Sequence, residues 1–174
     1  LPACNTVIFD EAHQLPETAS LFFGESVSTS QLLDLMRDAK MEAIQAAGDF
    51  IALPDAIAAA EKAVRDLRLT IAEDNTRLSL VAIRQNRGFS DVLDNLLEKL
   101  AALAKLLESQ AERSEGLENC WQRTTHHLQL MQRWRDETEM KDHVRWIEVY
   151  NQALQLNATP LSIAEIFQKQ MITS

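Results

Sequence analysis

Asp10 and Glu11 stand side by side after three apolar, β-prone residues, Val7, Ile8 and Phe9, and His13 follows two places on. Three such residues behind the polar pair Asn5-Thr6 read as a short strand buried on both faces. Both acids would then leave a sheet at its C-terminal edge, where open α/β folds collect their ligands. Paired carboxylates at that edge suit nucleotide hydrolysis: one holds Mg2+ through its water shell, and the other orients or deprotonates the attacking water. Asp10 fits the metal role and Glu11 the water role. His13 would face the nucleotide or a neighbouring motif and couple hydrolysis to movement. The competing reading of an apolar run that ends in two acids is a strand followed by a solvated turn.

These carboxylates cannot hold ATP unaided, because the phosphates need a glycine-rich loop of the form GxxxxGK followed by Ser or Thr. Gly24, Gly48, Gly88 and Gly116 are scattered, and none precedes a lysine. Phosphoryl transfer also calls for an arginine finger from a facing domain, for which 174 residues leave no room. The expectation is one domain plus a stub of a larger motor, inactive by itself, and a start on Leu1 without Met fits a cut at a domain edge. A free-standing metal hydrolase using Asp10, Glu11, His13 and a helix histidine would lack a further ligand at any recognisable spacing.

Composition narrows the classes further. Apolar content of 46% is ample for a core. Cys4 and Cys120 have no CxxC spacing and read as small buried hydrophobes. No apolar run approaches the roughly 20 residues of a membrane span, and no signal peptide is visible, so a cytoplasmic protein without membrane contact is expected. A net charge of −9 argues against a surface that coats DNA generally. Any DNA contact must be local. Arg65, Arg68, Arg77, Arg84 and Arg87 gather around one loop, diluted by Asp66, Glu73 and Asp74. Arg84 and Arg87, with Arg77, are the candidates for strand contact, against the alternative of a solvated helix face and its turn. His126 and His127 invite a metal reading, but adjacent helical residues point about 100° apart and cannot chelate together; one should be half-buried and the other exposed. Trp121, Trp134 and Arg133 could form a base-stacking surface, although aromatics on the inner stripe of a helix are more often core.

The elements that must position these residues are mostly helical. Pro16 to Phe23 can form a short helix stopped by Gly24. The Ser-Thr-Ser run after Val27 supplies N-cap oxygens for a helix from Gln31 to Ala47, with Leu32, Met36, Ala39, Ala43 and Ala47 inside and Gly48 as its end. Leu53-Pro54-Asp55 opens the next helix, whose seam is Ile57, Ala60, Val64, Leu67 and Ile71. Asp74 to Gly88 breaks the helical pattern, although Leu78, Leu80 and Ile83 need shelter. Ser90 is expected to cap a helix from Asp91 to about Arg113, carrying the stripe Leu93, Leu96, Leu100, Leu103 and Leu107. A turn at Ser114-Glu115-Gly116 leads to a partner helix from Leu117 to about Glu139. So short a turn makes an antiparallel helical hairpin, packed within one chain rather than as a coiled-coil dimer. From His143 the period changes to two, and Asn151-Gln152 suits the turn of a β-hairpin that ends at Thr159-Pro160. Ser162 to Glu165 reads as a capping box for a last short helix.

Several blocks carry a family likeness: Leu1-Pro2, VIFDEAHQLPETA from Val7 to Ala19, FFGESVS from Phe22 to Ser28, RWIE from Arg145 to Glu148 and ATPL from Ala158 to Leu161. In these the chain resembles the DEAH-type, iron-sulfur superfamily 2 DNA helicases related to XPD, and within them the bacterial DinG and YoaA group. The resemblance implies a mainly α fold, an antiparallel helical bundle of the Arch type, with a short N-terminal strand and a C-terminal β-hairpin. Residues 1–29 would be the edge of the first motor domain with the DEAH (Walker B) motif, 30–142 the Arch domain, and 143–174 the hairpin and short helix returning to the motor domain. In that family the arch closes over the first motor domain, and single-stranded DNA passes through the hole as ATP drives movement 5′ to 3′. The implied setting is DNA repair and replication. Asp10, Glu11 and His13 would serve hydrolysis of Mg2+-bound ATP in the intact enzyme, and the 4Fe–4S cluster would be held by cysteines outside this chain. Partners would be single-stranded DNA, the rest of the helicase and a replication or repair protein; a helical protein-interaction module without DNA contact is the alternative.

Overall fold

In the computed structural model, residues 25–136 and 141–161 are described. The chain enters them on β1 (Glu25–Ser28) and passes directly into α1 (Thr29–Ala46). Ser28 sits between the two as N-cap. Its Oγ accepts from Gln31 N at 3.1 Å, and its own N–H donates to Gln31 Oε1 at 3.0 Å, a reciprocal capping box. The serine-threonine run thus starts the helix as expected. Thr29 is also buried: its Oγ1 accepts from Leu154 N at 3.1 Å and ties the first turn of α1 to the C-terminal hairpin.

α2 (Ala52–Leu69) returns antiparallel to α1, with Pro54 and Asp55 in its first turn. Leu53, Ile57, Ala60, Val64 and Leu67 are buried along one face, as the three-four spacing requires. The segment from Asp74 to Gly88, expected only to interrupt the helices, contains two elements: an edge strand β2 (Thr76–Ser79) and a short helix α3 (Leu80–Arg84). Asn75 at φ 51° turns the chain into β2, a left-handed backbone that Asn tolerates better than most residues. Thr76-Arg77-Leu78-Ser79, with one apolar side chain among four, is too short and too polar to announce a strand whose partner, β3, lies about seventy positions away.

α4 (Arg87–Gln110) buries Phe89, Leu93, Leu96, Leu100, Leu103 and Leu107. It begins earlier than the Ser90 cap implies. Asn86 is the N-cap, with Oδ1 accepting from Phe89 N at 3.0 Å and Nδ2 donating to Thr70 O at 3.1 Å. Ser90 lies one turn inside. A 3-10 turn (Ala111–Arg113) and Ser114, whose Oγ caps Leu117 N at 3.0 Å, lead into α5 (Glu115–Arg135). Glu115 and Gly116, expected in the turn, are the first helical residues. Thr138 and Glu139, expected in the last turn, lie outside the described residues.

The four long helices close a ring: α1 packs on α2, α2 on α4, α4 on α5 and α5 on α1. β3 (His143–Val149) and β4 (Leu154–Pro160) form the expected hairpin, closed by Tyr150 N–H donating to Ala153 O at 2.8 Å. The four strands among the described residues join one antiparallel sheet in the order β1-β4-β3-β2. Its inner face, with Val27, Ile147, Val149, Leu154, Leu156 and Ala158 buried, shares a single core with the helices. The architecture is therefore mainly α, a helical bundle with one strand ahead of it and a hairpin behind. The strand expected at Val7–Phe9, the helix at Pro16–Phe23 and the capping box at Ser162–Glu165 lie outside the described residues.

Candidate nucleic-acid interface

The five arginines that cluster in sequence have separate fates in the fold. Arg68, only 12% exposed, points inward from the last turn of α2. Its guanidinium donates to Ile71 O at 2.8 Å, to Tyr150 O at 3.2 and 2.8 Å, and to Asn151 O at 3.1 Å, and it pairs with Asp74. It bolts the helix to the hairpin turn and presents little to a ligand. Arg65 lies across a helical turn from Glu61 at 3.5 Å. Arg77, on the outer face of edge strand β2, pairs with Glu148 of β3 and lies 5.6 Å above the Trp146 ring. Arg84 ends α3 and Arg87 begins α4, so both stand exposed on either side of the Asn86 cap. The fold thus keeps the Arg84–Arg87 pair together at the sheet end of the bundle and assigns Arg68 to the scaffold.

The RWIE block at Arg145–Glu148 acquires a physical role in this setting. Alternation along β3 sends Arg145 and Ile147 to the core side and Trp146 and Glu148 to the other face. Arg145, 9% exposed, donates to Trp134 O at the C-terminus of α5, and its guanidinium lies 6.0 Å from the Trp134 ring centre. A cation at that helix end meets the last carbonyls and the negative pole of the dipole. Trp134 in turn donates through Nε1 to Asn157 O at 2.8 Å and packs edge-on against Phe89 at 6.4 Å. Strand β3, helix α5, helix α4 and strand β4 are locked by one tryptophan and one arginine. Trp134 is consequently core at 5% exposure, as the inner-stripe reading has it, and Arg133 pairs with Glu25, so Trp134 offers no face to the alternative base-stacking surface. Aromatic spacing at helical period signalled a core position, and here it is one.

The histidines follow the helical geometry. His126 is exposed and His127 half-buried, their rings 5.7 Å apart and tilted by 52°. Burial, reinforced by His126 and Arg123, lowers the His127 pKa below its usual value. Cys120 is buried in the α5 stripe, and desolvation pushes its thiol up. Among the described residues no group of His, Cys, Asp and Glu is arranged to hold a metal ion. Asp10, Glu11, His13 and Cys4 lie outside the described residues.

This chain aligns with ATP-dependent DNA helicase YoaA of Escherichia coli (strain K12) at 33% identity over 175 residues. With ATP-dependent DNA helicase YoaA of Haemophilus influenzae (strain ATCC 51907 / DSM 11121 / KW20 / Rd) the identity is 28% over 172 residues. Each alignment takes in 98% of this chain and 27% of the relative. The chain is thus similar, over nearly its whole length, to a segment of the YoaA helicases. It spans about a quarter of the length of these curated relatives. No protein-family model matches it. No described helix is long and apolar enough to cross a membrane. Of the polar residues that hold the fold, the sequence signals Arg68 only as one of five clustered arginines and Arg145 only within the RWIE block, and it gives no signal of the Asn86 cap.

Proposed function

We propose that this chain is the Arch-type helical insertion of an ATP-dependent 5′-to-3′ DNA helicase of DNA repair and replication, acting in the cytoplasm. It would be flanked by the edge of the first motor domain at residues 1–29 and by the returning hairpin at 143–174. One observation carries the reading. The strand that enters the helical bundle and the strand that leaves it are hydrogen-bonded neighbours, with Glu25 opposite Ala158 and Ser28 opposite Gln155. A chain that enters and leaves a bundle side by side can be inserted into another domain without disturbing it.

In the intact enzyme Asp10 would hold Mg2+ through water, Glu11 would act on the attacking water of ATP hydrolysis, and His13 would link that site to movement. The residues described here would do mechanical work. The Trp134–Arg145 lock makes the helical hairpin a stiff lever on its sheet, able to guide a single strand without touching ATP. Arg84 and Arg87 would supply the local cationic contact, with Arg77 held behind them by Glu148 and Trp146.

The test is binding of fluorescent single-stranded DNA to this chain at low and moderate salt, beside the double variant Arg84→Glu/Arg87→Glu. Binding that weakens with salt and disappears in the variant supports strand contact. Absence of binding at low salt would refute it and leave the bundle as a brace. For the hydrolytic assignment, Glu11→Gln in the full-length enzyme should abolish ATP turnover and spare nucleotide binding; unchanged turnover removes Glu11 from the mechanism.

A further inference from the structure

Charge is spread unevenly along the bundle. Where the helices meet the sheet, arginines and acids are interleaved and largely paired. At the opposite end, where α1 turns into α2 and α4 into α5, Asp55, Glu112, Glu115 and Glu118 are exposed, and the neighbouring cations Lys40 and Arg113 are engaged by Glu61 and Asp49. The same end carries three large apolar side chains in solvent: Met41 at 54%, Ile44 at 76% and Ile51 at 78% exposure. They are not needed for packing, since α1 already seals Leu32, Leu35, Met36, Ala39 and Ala43 against the core. Apolar anchors beside charged residues have the anatomy of a protein interface, and the charge sign selects what can cover them.

We propose that the turn end of the bundle is a docking surface for a basic, amphipathic helical segment of another protein, with Met41, Ile44 and Ile51 as its apolar anchors. Lysines and arginines flanking the partner's apolar residues would meet Asp55, Glu112 and Glu115. A second copy of this chain would set acids against acids, and a nucleic-acid strand or an anionic membrane would set phosphates against them. This surface lies at the end of the bundle away from Arg84 and Arg87, so the proposal stands whether or not those residues touch DNA.

The probe is a synthetic amphipathic helical peptide of leucine and lysine, with a leucine–glutamate peptide as control, titrated into isotope-labelled chain and followed by amide NMR shifts. The lysine peptide should shift amides of 41–51 and 112–118, and its affinity should fall about tenfold in Ile44→Glu/Ile51→Glu, in keeping with lost interface anchors. The glutamate peptide should not bind. Both positions are exposed, so the melting temperature of the double variant should match the parent and separate lost docking from lost folding. Shifts centred elsewhere, or equal affinity in the double variant, would overturn the proposal. Self-association of the free chain that vanishes in Ile44→Glu would overturn it too, by naming a second copy as the occupant.

Discussion

Replacing Arg68 tests whether this arginine belongs to the scaffold or to a ligand surface. Its guanidinium spans three carbonyls from two distant segments, Ile71 on one side and Tyr150 and Asn151 on the other, and it pairs with Asp74 as well. A lysine has one nitrogen and cannot bridge these acceptors together. Charged hydrogen bonds contribute roughly 1.5–3 kcal/mol each in mutational series, but turn carbonyls near the surface regain water when the donor leaves, so about 1 kcal/mol per carbonyl is the better figure. A lysine can still reach one of the three carbonyls, so losing the other two gives about 2 kcal/mol for Arg68→Lys. For a chain of this size that corresponds to a fall in melting temperature of about 4–8 °C. Arg65→Lys is the control, since Arg65 lies 3.5 Å from Glu61 on an exposed helix face and should stay within about 0.5 kcal/mol of the parent. Thermal unfolding by circular dichroism measures both. A loss below about 2 °C for Arg68→Lys would refute the bolt and return Arg68 to the candidates for ligand contact.

Three further outcomes are expected. Asn86→Ala should destabilise by about 1–2 kcal/mol, because it removes the cap of α4 and the tie to Thr70, whereas Ser90→Ala, one turn inside the helix, should change stability by less than about 0.5 kcal/mol; urea titrations of both variants check the assignment. The Arg113 guanidinium bound to Asp49 lowers that carboxyl pKa from 3.8 to about 2 in the folded chain, so its contribution is present above pH 4 and is lost as pH falls from about 4 to about 2. Asp49→Asn should therefore lose the parent's stability advantage only above that window, and an equal difference at pH 2 and pH 7 would contradict the pairing. Burial lowers the His127 pKa in the fold, so the folded chain favours the neutral ring and stability should fall as pH drops below 6.5; His127→Gln should flatten that slope, and an NMR titration placing His127 above 6.5 would contradict it.

How much was legible divides by the range of the interaction. Helical period is local, and it puts Leu93, Leu96, Leu100, Leu103 and Leu107 on one face by spacing alone, the face that the fold buries. The hairpin announced itself because a change of period and a polar turn pair sit within one short stretch. Strand β2 did not, since its four residues become a strand only through a partner far along the chain. Ser90 is expected as the cap of α4 because serine is a good N-cap by residue type; Asn86 takes that place in the fold, where it is also tied to Thr70, a contact between segments. The arginine cluster misled for the same reason. Five arginines close in sequence look alike, and only the folded chain separates Arg68, which anchors the hairpin turn, from Arg84 and Arg87, whose side chains are exposed.

The sequence by itself determined the helix stripes, the short turns that make the bundle antiparallel, the closing hairpin and the likeness to DinG/YoaA helicases, because each is written in spacing or in a contiguous motif. The tertiary structure alone decided that β1 and β4 lie side by side, that Trp134 and Arg145 lock bundle to sheet, and that Met41, Ile44 and Ile51 share the acidic end of the bundle. Each of these depends on which distant segments meet, and a side chain's partners across the core leave no periodic trace along the chain.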